Sequence, residues 1–188
     1  MGKIYVTEFA SLDGVVEDPG GSEDFKHGGW SFEISRGDEG DQFKMDETMD
    51  TEALLLGRVT YDGFADAWPE REGEFADKFN SMPKYVASRT LKDPSWTNTT
   101  VLEGDLVESV AKLKEEQDGW IGVHGSVSVA RELLENDLVD EVRLMVFPVV
   151  LGSGKRLFGE SDDKKPMKLT DSKTVGDGVE LLVYEPQK

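Results

Sequence analysis

The chain of 188 residues contains no cysteine. That absence excludes disulfides, thiol nucleophiles and every cysteine-ligated metal site. Histidine is almost missing too, with only His27 and His124, so a histidine-rich metal centre is excluded and no metal is expected. No apolar run approaches the ~20 residues that span a bilayer. The opening MGKIYVTEF lacks a signal-peptide pattern, so a cytoplasmic protein with no membrane partner is expected. Basic residues are scarce: 21 Lys and Arg against 39 Asp and Glu give a net charge of −18. Nucleic-acid binding needs clustered cations at the phosphates, so that class is set aside. Any anionic small molecule must be held against the general field of the chain, which makes each well-placed arginine worth noticing.

What is present is a folding sequence. Hydrophobic residues make up 37%, including four Trp and nine Phe, and the length suits one domain over residues 1–188. Alternating or continuous apolar runs read as strands at 3–9, 52–56, 84–87, 99–102, 120–123 and 142–150, with a hairpin-like pair at 168–175 and 179–184 around Gly176-Asp177-Gly178. Helical spacing reads at 43–51, 60–67, 105–116, with Asp105 as N-cap, and after His124-Gly125-Ser126, where Val127, Val129, Ala130, Leu133 and Leu134 recur. The stretch 72–80 reads as a polar helix or loop, and 17–41, rich in glycine and acids, as a long loop of the kind that forms lids or binding loops. Strand and helix alternate and then close on antiparallel strands. This predicts an α/β domain with a mostly parallel central sheet and antiparallel C-terminal edge strands.

Open α/β sheets bind ligands outside the carboxyl ends of their strands. Three such ends carry suggestive residues: Gly57-Arg58-Val59-Thr60, Ser88-Arg89-Thr90 and His124-Gly125-Ser126. A glycine turn feeding a helix N-terminus presents free N–H groups to an anion. The planar, permanently charged fork of Arg suits phosphate. Two arginines with a glycine-opened helix fit a ligand with separated phosphates, such as NADP; surface ion pairs among so many acids are the alternative. Gly152–Gly159, GSGKRLFG, has neither the Rossmann nor the Walker A spacing.

The motifs SLDG at 11–14, LLLGRVTYDGF at 54–64, ASRTL at 87–91, HGSVSVARELLENDLVDEV at 124–142 and FPVVLGSGKRLF at 147–158, in that order, resemble the reductase domain at the C-terminus of bacterial riboflavin-biosynthesis deaminase-reductases, a relative of dihydrofolate reductase. The chain looks most like the stand-alone members. The resemblance implies a three-layer dihydrofolate-reductase-like fold, NADPH as hydride donor, and reduction of a small polar C=N or C=O compound of the 5-amino-6-(5-phosphoribosylamino)uracil type. By motif, Gly57, Arg58 and Thr60 would bind the adenosine and phosphate end. Ser88 and Arg89 would hold the 2′-phosphate, and His124, Gly125, Ser126, Val127, Ser128 and Val129 would form the pyrophosphate turn. Phe9 and Ala10 would offer backbone groups to the nicotinamide, with Asp13 near the reacting end as candidate proton donor or as an ordinary turn residue. Trp30, Asp41, Met45 and Trp68 are candidates for the substrate side. His124 departs from the family's common glycine pair, and the zinc ligands of the deaminase half have no cysteine to draw on. Other readings are a non-catalytic nucleotide-binding or scaffold protein, and a dihydrofolate reductase proper, which requires a buried carboxylate on the first helix. A homodimer built through strand 142–150 or the GSGKRLF segment is also expected.

Overall fold

The architecture comes from a computed structural model, which describes residues 1–160 and 163–187. The first strand shows why the sheet lies at the centre. Ile4, Tyr5 and Val6 are consecutive and completely buried, which requires cover on both faces of the strand. The elements follow as β1 (Lys3–Ser11), α1 (Gly37–Met49), β2 (Thr51–Gly57), α2 (Arg58–Ala67), α3 (Glu74–Ser81), β3 (Lys84–Ala87), β4 (Thr99–Leu102), α4 (Leu106–Glu116), β5 (Trp120–His124), α5 (Val127–Glu135), β6 (Glu141–Phe147), β7 (Met167–Val175) and β8 (Val179–Pro186). The strands form one sheet in the order β4-β3-β2-β5-β1-β6-β8-β7. Every pairing from β4 across to β6 is parallel, and β8 pairs antiparallel with both β6 and β7.

Side chains alternate across the sheet and build three apolar clusters. Val6, Leu55, Ile121 and Val123 pack with Val110 and Leu113 of α4 and with Ala130 and Leu133 of α5. On the other face, Leu54, Leu56 and Val86 pack with Tyr61 of α2 and Phe79 of α3. Beyond them Met145, Phe147, Val179 and Leu181 pack around Trp30 and Phe43. The result is the expected three-layer arrangement, helices on both faces of a mostly parallel sheet with an antiparallel edge.

Element boundaries differ from expectation where polarity hid a helix. α1 begins at Gly37 rather than at residue 43, because Asp38 and Glu39 occupy its first turn, where acids complement the helix dipole. The 17–41 loop is shorter accordingly and contains a single 3₁₀ turn, Trp30–Phe32. β6 ends at Phe147, before Pro148, which has no N–H to donate to a ladder. β6 is paired on both sides, with β1 and β8, so it offers no free sheet edge to a second subunit. In the other expected dimer elements Val150 and Phe158 are exposed. Among the described residues no helix is long and apolar enough to cross a membrane.

Asp105 caps α4 by accepting the Glu108 N–H at 3.0 Å. Asp105→Ala is expected to lower stability by about 1 kcal/mol in urea denaturation, the usual cost of losing such a cap, with an unchanged m-value.

Candidate functional site

The sheet opens in its middle. β1 and β5 run in register from Lys3↔Trp120 to Thr7↔His124, and there β5 ends. β1 continues with β6 alone as far as Ser11↔Phe147. A cavity of 680 Å³ lies at this parting, at the carboxyl ends of the parallel strands. It is lined by the starts of α2 and α5, by Thr7, Glu8 and Phe9 of β1, and by the loop carrying Glu17, Asp18, Ser22 and Glu23.

On one side two helix N-termini converge. Gly57, Arg58 and Thr60 open α2, and Ser126 to Val129 open α5, all in the cavity wall. The first-turn N–H groups of each helix have no intrahelical acceptor and carry the positive end of its dipole. Gly125 and Ser126 both have φ of 56°. The Ser126 N–H is itself bonded within the turn, so the N–H groups left without an intramolecular acceptor are those of the first turn of α5. For Ser126 the left-handed conformation costs on the order of 1 kcal/mol, and three bonds hold it. Its N–H donates to Thr60 Oγ1 at 3.0 Å, its Oγ donates to the His124 carbonyl at 3.0 Å, and its Oγ accepts from the Gly57 N–H at 2.9 Å. The same bonds lock the α2 and α5 turns together. A Cβ on Gly125 would stand a tight 3.2 Å from Thr60 Oγ1, and the positive φ strains any side chain there.

The His124 ring does not occupy this turn's concavity. It is 8% exposed, packs edge-on against Phe79, and lies 3.2 Å from the Tyr5 hydroxyl through Nε2. Burial, with Lys44 and Arg143 nearby, drives its pKa well below the ordinary value, so it is neutral and adds no charge beside the turn. Tyr5 is itself neutral, its phenol pushed far upward by burial and by Glu47.

A second part of the lining is aromatic. Trp68 stacks on Phe75 with centroids 5.2 Å apart, Phe75 stacks on Phe79 at 5.4 Å, and the Arg71 guanidinium lies 4.3 Å over Trp68. All four line the cavity. Lys44 of α1, also in the lining, donates to Thr7 Oγ1 at 3.0 Å and forms an ion pair with Glu47. Among the described lining residues are six basic side chains (Arg36, Lys44, Arg58, Arg71, Arg131 and Lys155) and four acidic ones, the reverse of the chain's overall balance.

The expected site residues divide clearly. Phe9, Gly57, Arg58, Thr60, His124, Gly125, Ser126, Val127, Ser128, Val129 and Trp68 line the cavity. Arg58 bonds Asp62 through Nε at 2.8 Å and Thr90 Oγ1 through a terminal nitrogen at 3.2 Å, so the 88–90 turn adjoins the α2 start. Ser88, Arg89 and Ala10 are outside the lining; Ser88 Oγ accepts the Leu91 N–H at 3.1 Å. Trp30 is core: 2% exposed, its indole N–H bonded to the Glu17 carbonyl, its ring edge-on to Phe147. Asp41 faces solvent and pairs with Arg36 at 2.5 Å, and Met45 is likewise outside the lining.

Asp13 is a structural clamp. Its carboxylate accepts from Ser11 Oγ at 2.6 Å and from the Leu151 and Gly152 N–H groups at 3.1 and 2.9 Å. These bonds hold its pKa down at about 2, so it carries no proton to give near neutrality. It ties the SLDG turn to the GSGKRLF segment, which Glu17 grips through the Lys155 N–H and Arg131 through the Leu157 carbonyl.

Sequence reasoning missed Glu8. It is 4% exposed in the cavity wall, and its Oε1 has no hydrogen-bond partner. Burial pushes its carboxyl up to about 8, against the pull of Lys44 and with a further push from Glu23. A charged residue at the parity of buried Ile4, Val6 and Ala10 was the available signal.

The architecture and cavity define an α/β domain of the dihydrofolate-reductase-like class. Dihydrofolate reductase from Enterococcus faecalis, solved with NADP(H), superposes with a TM-score of 0.59 at 13% identity over 99% of this chain and 97% of that one. More particularly, the chain belongs to the RibD C-terminal domain family, a riboflavin-pathway reductase family, whose model matches residues 2–181. A Shewanella sp. PV-4 protein assigned to riboflavin biosynthesis has a TM-score of 0.79 at 23% identity, covering 99% of both chains. The uncharacterized protein YyaP of Bacillus subtilis (strain 168) is 29% identical over 187 residues, 97% of this chain and 94% of that one.

A glutamate titrates near ~4.3 when unfolded, whereas Glu8 titrates at about 8 in the fold. The folded state therefore holds the extra proton between these values. Stability linked to Glu8 is full below the unfolded value and is lost as pH rises through the folded one. Glu8→Gln is expected to raise the Tm by several degrees at mildly alkaline pH, with the gain shrinking as pH falls toward the unfolded value. Calorimetry across that range checks it.

Proposed function

We propose that this chain is an NADPH-dependent reductase of a small, flat, polar heterocycle or its carbonyl or imine form, of the 5-amino-6-(5-phosphoribosylamino)uracil type. The observation that carries the reading is the single cavity with two unlike arms: paired helix N-termini with arginine on one side, stacked aromatics on the other. The first arm fits a dinucleotide. The turn at Gly125 and the first-turn N–H groups of α5 would receive the pyrophosphate, and Arg58, with Arg89 on the adjoining turn, would receive the 2′-phosphate. NADPH bound there supplies the hydride. The free β1 edge at Phe9 and Ala10 would orient the nicotinamide, and Trp68 with Phe75 would stack the substrate ring. The 17–36 loop walls the cavity and limits water.

The dihydrofolate reductase reading lacks its carboxylate. Glu47, the buried acid on α1, is paired with Lys44 through Oε1 and lies outside the cavity lining, although its Oε2 accepts no hydrogen bond. Asp41 and Asp46 are engaged elsewhere, with Arg36 and with Gln42. The scaffold reading calls for a cavity without polar groups between its arms, and Thr7, Glu8 and Lys44 stand there.

Two experiments test the proposal. In calorimetric titration, Arg58→Ala and Arg89→Ala should each weaken NADPH by ~1.5–3 kcal/mol, the range for charged hydrogen bonds, and leave NADH little changed; equal losses for both nucleotides would show that neither arginine reads the 2′-phosphate. Gly125→Val should abolish binding of both nucleotides by filling the turn, and wild-type affinity in that variant would refute its role as a phosphate cradle.

A further inference from the structure

Hydride transfer to a C=N or C=O group leaves the nitrogen or oxygen needing a proton, and the residues assigned so far provide none. Asp13 is fully committed to backbone donors and ionised. His124 is neutral, and its ring is held between Tyr5 and Phe79 with Nε2 3.2 Å from the Tyr5 hydroxyl. Lys44 is held by Thr7 and Glu47.

Glu8 differs from all of these. It sits one residue past the last β1–β5 pair, next to Phe9, where the sheet parts and the cavity begins. Its carboxyl is buried yet makes no hydrogen bond through Oε1, although a buried polar atom without a partner is costly and rare. A buried carboxyl of this kind beside a cavity takes an ordered water, an ion or a ligand atom as its partner. The charged groups that act on it are Lys44 of α1 and Glu23 of the covering loop, the first favouring the carboxylate and the second the acid. Burial exceeds both, and the acid form prevails near neutrality.

We propose that Glu8 is the catalytic acid of this site, donating its carboxyl proton to the substrate nitrogen or oxygen as the adjacent carbon accepts hydride. This rests on the reductase reading above. The step balances: the hydride forms the new C–H bond and oxidises NADPH to NADP⁺, the C=N or C=O π pair takes the proton from Glu8, and the Glu8 carboxylate is left as an anion. Lys44 stabilises that anion until water returns a proton. The chemistry selects substrates whose acceptor atom becomes strongly basic on reduction.

The test compares wild type with Glu8→Gln, which keeps shape and hydrogen-bonding capacity but has no acidic proton. Infrared difference spectra at neutral pH should show the carbonyl stretch of a neutral carboxylic acid in wild type and lose it in the variant. Glu8→Gln should bind NADPH within a few-fold of wild type and retain a cooperative melt. Its single-turnover hydride transfer to 5-amino-6-(5-phosphoribosylamino)uracil should fall by ~10²–10⁴-fold, the worth of a general acid. The wild-type rate should fall as pH rises through about 8, and the variant's should not. No acid band, or equal rates in the two proteins, overturns the assignment and leaves the reductase reading standing. A wild type that binds no NADPH, or transfers no hydride, overturns both.

Discussion

The structure depends on the point where β5 stops and β1 does not. Up to Thr7 and His124 the two strands satisfy one another's backbone groups; beyond it Gly125 and Ser126 turn the chain into α5 in a conformation most residues avoid. Everything in the site follows from that separation. It frees an edge of β1, turns the start of α5 inward beside that of α2, and leaves Glu8 in a wall rather than in a core. Ser126 is the bolt: one side chain and one N–H bridge β2, α2 and β5, so the turn is rigid before any ligand arrives. A preformed anion cradle loses little entropy on binding.

Electrostatics reinforce the geometry. The chain repels anions as a whole, with a net charge of −18, yet six cations border one cavity. Local fields in a partly enclosed, low-dielectric space outweigh distant surface charge, which salt screens within about 10 Å. Many of those cations have partners: Arg58 with Asp62, Arg36 with Asp41, Lys44 with Glu47. A ligand phosphate would compete for prearranged donors, not create a charge cluster from nothing.

The fold was legible because it is written in periodicity. Continuous apolar runs such as Leu54-Leu55-Leu56 mark doubly covered strands, and the parallel sheet with its hairpin edge follows from their order. The cavity-lining turns at Gly57 and Gly125 were legible because glycine at a strand end has few alternative uses. The aromatic part of the lining was not. Trp30 and Trp68 are alike in sequence, and only packing tells that one seals the core against Phe147 while the other faces the cavity. Asp13 looked reactive because a carboxylate's chemistry depends on what bonds it, and its partners lie about 140 residues away in the GSGKRLF segment. Glu8 was overlooked for the converse reason: its environment comes from Lys44 of α1 and Glu23 of the covering loop, neither adjacent in sequence.

One feature of the aromatic arm has a practical reach of its own. Of the four tryptophans, Trp30 and Trp96 are sealed in the core and Trp120 lies at the far end of β5, leaving Trp68 alone among the described residues on the cavity. Indole emission overlaps the absorption of reduced nicotinamide, so a reduced nicotinamide bound in the cavity would quench Trp68. Such quenching would report occupancy of the cavity without a label.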